Sequence, residues 1–268
     1  MPPGNLASTG FPVRSAALEA FGFKFSPGGA HISRTMMLAE LGAVLAAVPA
    51  GSSSVDYRAA ILQRNVLGKT TDSTRQKSQR HLRELYALDE AIPMFGLLRR
   101  LQAVDLGASL PLLAVQVAWS RDPLFRATTQ PILNAAVGDS VERASLVQAF
   151  EAAFPNQYSE ASLKTTTQNA ASSWTQSGHL AGHAKKIRQQ IKPTAVAVTM
   201  ALFLGQVAGR HGAAVFSNPW VRLLDLSADR ARALAQEAHR AGLLTLRAVG
   251  EVVELRFPRF AEFQGQSA

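Results

Sequence analysis

The sequence predicts a mainly α-helical protein whose later part carries helix–hairpin units, and three observations lead there. Segments with the 3–4 spacing of a buried helical face follow one another from Ser33 to Gln176. Ser, Thr or Asp heads several of them, and Pro or Gly closes them. Only two places alternate in the manner of paired strands: the basic run after Gly178 and the stretch about Val249-Gly250.

The totals bound the possibilities. A chain of 268 residues holds one large domain or two modest ones, each with a core. An apolar share of 47% with mean hydropathy +0.03 marks a soluble globular protein. A net charge of +9 and a pI near 10.5 favour polyanions, nucleic acid before an acidic membrane surface or acidic protein. Without cysteine there is no disulfide framework or thiolate chemistry, which suits a cytoplasmic address. The opening MPPGNLASTGFPVRSA lacks the apolar core of a signal peptide. The longest apolar run, Thr194 to Leu204, is shorter than the ~20 residues that span a bilayer, so it reads as a buried helix and no membrane partner is expected.

Taken in order, residues 1–30 are rich in Pro and Gly and read as an extended segment over the body, with Phe21, Phe23 and Phe25 alternating as a short strand. Residues 31–138 read as a helical bundle. Ser33 caps a helix through RTMMLAELGAVLAAV, ended by Pro49 and Gly51. VDYRAAILQRNVL follows, closed by Gly68. The helix from Ser73 to Leu88 is the most basic. Leu82, Leu85 and Tyr86 share one sector, Lys77, Arg80 and Arg83 the opposite arc, and Arg75 its edge. Glu84 is the one acid beyond its first turn, so these cations are not paired as i,i+4 salt bridges. The arc is either a solvated face or a polyanion-binding one, with Lys69 flanking it. PMFGLLRRLQAV, PLLAVQVAWS and PLFRATTQPILNA complete the bundle, each opened by Pro, with Pro131 kinking the last.

Val137-Gly138 marks a boundary, and residues 139–192 read as a winged helix-turn-helix-like unit. Asp139 and Glu142 form a capping box before SVERASLVQAFEAAF. Ser159 then caps a helix from Glu160 to Gln176 with Leu163, Thr167, Ala170 and Trp174 on one face. Ala161, Thr165, Gln168, Ser172 and Gln176 line the other, where short hydroxyl and amide side chains can approach phosphates and base edges, and Ser162, Lys164, Thr165, Gln168, Asn169 and Ser172 are the helix's candidate DNA contacts. LAGHAKKIRQQI forms the wing, with His183, Lys185, Lys186 and Arg188. No carboxylate occurs between Glu160 and Asp225, a tract holding seven Lys and Arg residues. A solvated basic surface on an ordinary helical protein is the competing reading of this tract. Residues 193–268 read as an apolar helix, a core Trp220 and a second winged-helix-like unit. There Ser227 caps ADRARALAQEAHRA, and a hairpin sets Glu251 and Glu254 against Arg247 and Arg256. That balance suits packing or protein contact more than DNA.

Catalysis finds little footing. His179 and His183 have i,i+4 spacing, but Gly178 and Gly182 bracket them outside a stable helix and no further ligand lies near. Gly68-Lys69-Thr70 lacks the upstream glycine of a phosphate loop, since Gln63 stands there. There is no Gly-x-Ser-x-Gly elbow, and Asp89-Glu90 reads as helix-terminal solvation. No enzyme activity, catalytic residue, metal or cofactor is expected.

FKFSPGGAHISRTMMLAE, YRAAILQRNVLGKTTDSTRQKSQRHLRELYALD, DPLFRATTQPILN and FPNQYSEASLKTTTQNAASSWTQSGHL together resemble the BrxA family, small accessory proteins of BREX-type bacteriophage-defence systems. The resemblance covers about residues 20 to 190. The chain departs from it by continuing well beyond the family's usual end and by placing His179 where an aromatic is typical. The resemblance implies a NusB-like helical body joined to helix-turn-helix elements. It also implies a non-enzymatic, sequence-tolerant binder of double-stranded DNA acting beside a methyltransferase, an ATPase and a phosphatase-like protein. Carried onto matching positions, Arg75, Lys77, Arg80, Arg83 and the helix from Ser162 to Gln176 become the DNA surface. A sequence-specific repressor and a scaffold for an acidic protein partner remain as alternatives.

Overall fold

The computed structural model describes residues 10–249 and 252–263, which are mainly helical with two small antiparallel hairpins. The first expectation to change concerns the N-terminal segment. Helix α1 (Ala16–Phe21) is capped by Ser15 and ends at Gly22. No strand forms over Phe21 to Phe25, because the Lys24 N–H donates to the Ser120 carbonyl rather than to a partner strand. Phe21 and Phe23 are buried. Phe11 lies edge-on to Trp119 at 5.2 Å between centroids, with the Arg126 guanidinium 3.5 Å above its ring. This segment is part of the core and does not merely loop over it.

Helix α2 (Leu38–Ala47) begins four residues later than a Ser33 cap suggests, with Met37 as its N-cap. The Met36 N–H is taken by Ser173 Oγ, the Met36 carbonyl by the Tyr86 hydroxyl, and the Leu38 N–H by Gln176 Oε1. Those long-range bonds hold residues 33–37 out of the helix as an extended strap, and Met37 takes a left-handed φ of 53°. Helix α3 (Ser54–Leu62) has a Ser53–Asp56 capping box. It stops short of Leu67 because Asn65 turns left-handed and its Oδ1 accepts the Lys69 N–H. Helices α4 (Asp72–Tyr86), α5 (Pro93–Val104) and α6 (Leu110–Arg121) match their sequence limits within a residue or two. The next segment divides into α7 (Pro123–Ala127) and α8 (Thr129–Leu133). Pro131 has no N–H for the Ala127 carbonyl, so the break falls there.

Helix α9 (Arg143–Ala153) lacks the expected capping box: Glu142 is its N-cap and makes no side-chain cap bond. Residues 138–141 are instead occupied as an extra strand-like edge. Hairpin β1 (Leu180–Ala181) and β2 (Ile187–Arg188) follows α10 (Glu160–Gln176), and Ser140 bridges Ile187 across from it. The Val141 N–H bonds the Lys186 carbonyl and the Arg188 N–H bonds the Asp139 carbonyl, at 2.8 and 2.9 Å. At the hairpin turn Gly182 has φ 92°, and a Cβ there would lie 2.2 Å from the Lys185 carbonyl oxygen, so the wing requires glycine.

The apolar helix α11 (Ala195–Val207) is buried from Val196 to Gly205. It packs against α5, α6 and the following helices α12 (Pro219–Leu223) and α13 (Ala228–Arg240). Strands β3 (Thr245–Val249) and β4 (Val252–Arg256) pair with Arg247 opposite Glu254, as the sequence suggests. The expectation for Glu251 lies outside the described residues. A closing 3-10 turn, Pro258–Phe263, sends Phe263 back onto α5. One core extends from Leu18 to Phe263 and continues across the Val137-Gly138 position. A satellite of Leu124, Phe150 and Phe154 sits between α7 and α9. No helix among the described residues is long and apolar enough to cross a membrane.

Candidate nucleic-acid interface

The strap over residues 33–37 and the turn before it fix α10 against α4. His31 Nδ1 lies 2.7 Å from Asp122 Oδ2, and His31 Nε2 lies 2.8 Å from Ser173 Oγ on α10. On the α4 side Ser33 Oγ meets His81 Nε2 at 3.4 Å. Asp122, His31 and Ser173 have the spacing of a nucleophilic triad. All three are sealed at 0–1% exposure, and Ser173 Oγ already accepts the Met36 N–H, so no substrate carbonyl can reach it. The network is a fastener. Burial would raise the Asp122 pKa, but the His31 imidazole and the N–H groups of Phe125 and His31 outweigh it and hold the carboxyl below its usual range. Gly29 permits this approach, because a Cβ there would sit 2.0 Å from Asp122 Oδ1.

On the outward face of α10, Lys164, Thr165 and Gln168 are exposed while Ser162, Asn169 and Ser172 are half-buried. Their donors are not equally free. Thr165 Oγ1 donates to the Ala161 carbonyl and Ser172 Oγ to the Gln168 carbonyl, each at 3.0 Å. Ser162 Oγ pairs with Ser159 Oγ, and the Asn169 amide donates to the His31 carbonyl. The expectation that these short side chains offer donors to phosphates therefore needs correcting: hydroxyls within a helix bond back to the preceding turn. The Lys164 and Gln168 side chains have no hydrogen-bond partner on this face among the described residues.

The hairpin closes a groove of about 790 Å³ against α9 and α10, lined by Gln168, Ser172, Arg143, His183, Lys185 and Lys186 among others. His183 and Lys185 are exposed. Lys186 Nζ donates to Thr175 Oγ1 at 3.0 Å and to the Gly182 carbonyl at 2.8 Å, and burial lowers its pKa. Arg188 is a correction. Its side chain is 3% exposed and ion-paired with Asp225, with further bonds to the His179 and Gln189 carbonyls. In so short a hairpin, alternate side chains point to opposite faces, and Arg188 falls on the inner one. It cannot contact a ligand at the surface.

On α4, Lys77, Arg80 and Arg83 are exposed. Arg75 is half-buried and paired with Asp72, and Lys69 is paired with Glu40 at 3.0 Å. Those two cations are partly neutralised, so the open basic arc is narrower than the sequence suggests.

Two cations near these residues escaped the sequence reading. Arg34 rides on the strap between α4 and α10 and donates to the Ser33 carbonyl. Arg143, exposed at the first turn of α9, lines the groove. A signal for it existed: a cation in a helix's first turn opposes the helix dipole, so its placement is unexplained by helix stability.

His179 and His183 do not converge on a metal, and no group of three or more potential ligands occurs among the described residues. His179 is fully buried, with Nε2–H donated to the Leu223 carbonyl and Nδ1 facing the Ser177 hydroxyl, each at 2.8 Å. Its ring stands edge-on to Trp174 at 5.0 Å, the packing an aromatic would provide. Burial pushes its pKa down to about 4, partly opposed by the Leu223 carbonyl. The unfolded imidazole titrates near 6.5 and so binds more protons than the folded one below that pH. Stability should fall as pH drops from 6.5 towards 4, and His179→Gln should lose about 2–3 kcal/mol less than wild type between pH 7 and 4.5 in urea denaturation.

No family model matches the chain, and no curated protein matches it in sequence.

Proposed function

We propose that this chain is a non-enzymatic double-stranded DNA-binding protein of the winged helix-turn-helix class, with the α9–α10–hairpin unit as its principal contact surface. Within that class the residues quoted above favour a BrxA-like accessory subunit of BREX-type phage defence. It would carry a NusB-like helical body and work in the cytoplasm beside a methyltransferase, an ATPase and a phosphatase-like protein. The observation that carries the reading is the order of elements: a strand-like edge at 138–141, α9, α10, then β1 and β2, with that edge pairing to β2. That order supports the winged-helix reading. Arg143, His183 and Lys185 line its groove together with Glu142, Lys164 is exposed on α10, and no carboxylate forms an ion pair with these cations among the described residues. On α10 no Arg is available for guanine, so the helix suits backbone shape more than base identity.

Duplex binding across a salt series, with several unrelated sequences, tests this. If about six phosphates are contacted, affinity should fall roughly a thousandfold between 50 and 200 mM salt and differ little between sequences. Flat salt dependence would dispose of the reading.

One observation favours sequence-specific repression as a second reading. On α13, Arg232, Gln236 and Arg240 form an exposed i, i+4, i+8 stripe before the second hairpin, and Arg and Gln are the side chains that read guanine and adenine. A binding selection on random duplexes that returns a consensus would favour it over the first.

A further inference from the structure

A cleft apart from the α10 groove opens where the N-terminal segment crosses α4. Its main depression encloses about 570 Å³, within the ~300–1,000 Å³ range of small-molecule sites. Two smaller depressions adjoin it through Lys24 and Arg121, one of them edged by the Ser26-Pro27-Gly28-Gly29 turn. Its lining combines apolar Val55, Leu88 and Ile92 with the cations Lys24, Arg58, Arg83 and Arg121 and the acids Glu19 and Asp89.

The charges there are unevenly committed. Glu19 is paired with Arg14 at 2.9 Å, Glu84 faces His81 at 3.7 Å, and the Asp89 carboxylate accepts the Ala91 N–H at 3.1 Å. The guanidinium of Arg121 is spent on the carbonyls of Gly22, Glu84 and Arg83. Lys24 Nζ and the guanidinium groups of Arg58 and Arg83 have no hydrogen-bond or ion-pair partner among the described residues. Lys24 is half-buried, and desolvation, then the Arg121 charge, lowers its pKa against the opposing pull of the Glu84 and Asp122 carboxylates, neither of which bonds its ammonium directly. A half-buried ammonium without a partner is costly unless an anion completes it.

We propose that this cleft binds a phosphate group, with Lys24, Arg58 and Arg83 donating to its oxygens and the sugar or base lying against Val55, Leu88 and Ile92. The chemistry is that of a phosphate monoester, carried either by a free nucleotide or by the 5′ end of a nucleic-acid strand. This site is separate from the α10 groove and does not depend on the duplex-binding reading.

Titration calorimetry on the full chain tests it, with adenosine 5′-monophosphate, adenosine and inorganic pyrophosphate as probes. The monophosphate and pyrophosphate should bind, and adenosine at least about tenfold more weakly than the monophosphate. Lys24→Met, which keeps the apolar stem, should cost the monophosphate about tenfold or more in affinity while leaving duplex affinity unchanged. Arg58→Gln, at an exposed position, should weaken the same ligand without affecting the fold. A short single strand with a 5′ phosphate separates the sources. If it binds more tightly than its 5′-hydroxyl counterpart, the site takes a strand end. If the two strands bind alike while the monophosphate binds, it takes the free nucleotide. Adenosine equal to the monophosphate, both variants equal to wild type, or no binding of any phosphorylated probe by about 10 mM would overturn the assignment.

Discussion

Arg188→Ala is expected to destabilise the protein by about 3–5 kcal/mol, seen as a large drop in the urea midpoint, because it strands a partner charge in a poorly solvated place. Arg188 and Asp225 are 3% and 12% exposed, and the same guanidinium bonds the His179 and Gln189 carbonyls. Its backbone holds Gly138 and Asp139 at the strand-like edge. One residue thus ties the wing to the loop after α12 and to the start of the α9 unit. Replacing both charges, as Arg188→Met with Asp225→Asn, should recover much of the loss, since neither member is then left unpaired. If Arg188 met DNA instead, the single variant would weaken duplex binding and leave the urea midpoint where it was.

That residue also marks where sequence reasoning stops. Helix limits were legible when local chemistry decided them: Pro93 opening α5, Ser159 capping α10 and Ser227 capping α13 all act within one turn. Ser33 has the same local chemistry, yet its helix begins at Leu38, because Ser173, Gln176 and Tyr86 claim the backbone of Met36 and Leu38 from far along the chain. Asp139 and Glu142 fit a capping box, but the hairpin takes that segment as an edge. Local propensity is a weak prior, and long-range bonds overrule it.

The candidate surface divides along the same line. Lys77, Arg80, Arg83, Lys164 and Lys185 stay exposed, and none of them is ion-paired with a carboxylate among the described residues. Lys69, Arg75 and Arg188 are each drawn to a carboxylate, and for Lys69 and Arg188 that carboxylate is remote in sequence. Composition registers the excess of positive charge without telling which cations are already paired. The Lys24 cleft was hidden for the same reason: its walls come from residues around positions 22, 55, 83 and 121, and only the fold brings them together.

Lys164→Glu combined with Lys185→Glu is expected to weaken duplex binding by about a hundredfold at low salt and to make the salt dependence shallower by roughly two counterions. Both side chains are exposed and have no ion-pair partner among the described residues, so the urea midpoint should hardly move. Total charge has to be separated from location. Arg230→Glu with Arg259→Glu removes the same charge at exposed positions on other elements, α13 and the closing 3-10 turn. If long-range attraction alone held the duplex, the two double variants would lose affinity equally. If the outward face of α10 together with the wing is the contact, the first pair loses far more, because it removes phosphate contacts as well as field. Lys77→Glu with Arg80→Glu, measured beside them, asks whether α4 belongs to the same surface. Losses that combine additively with those of the groove pair mean both patches touch one duplex, and no loss beyond the control confines the surface to α10 and the hairpin.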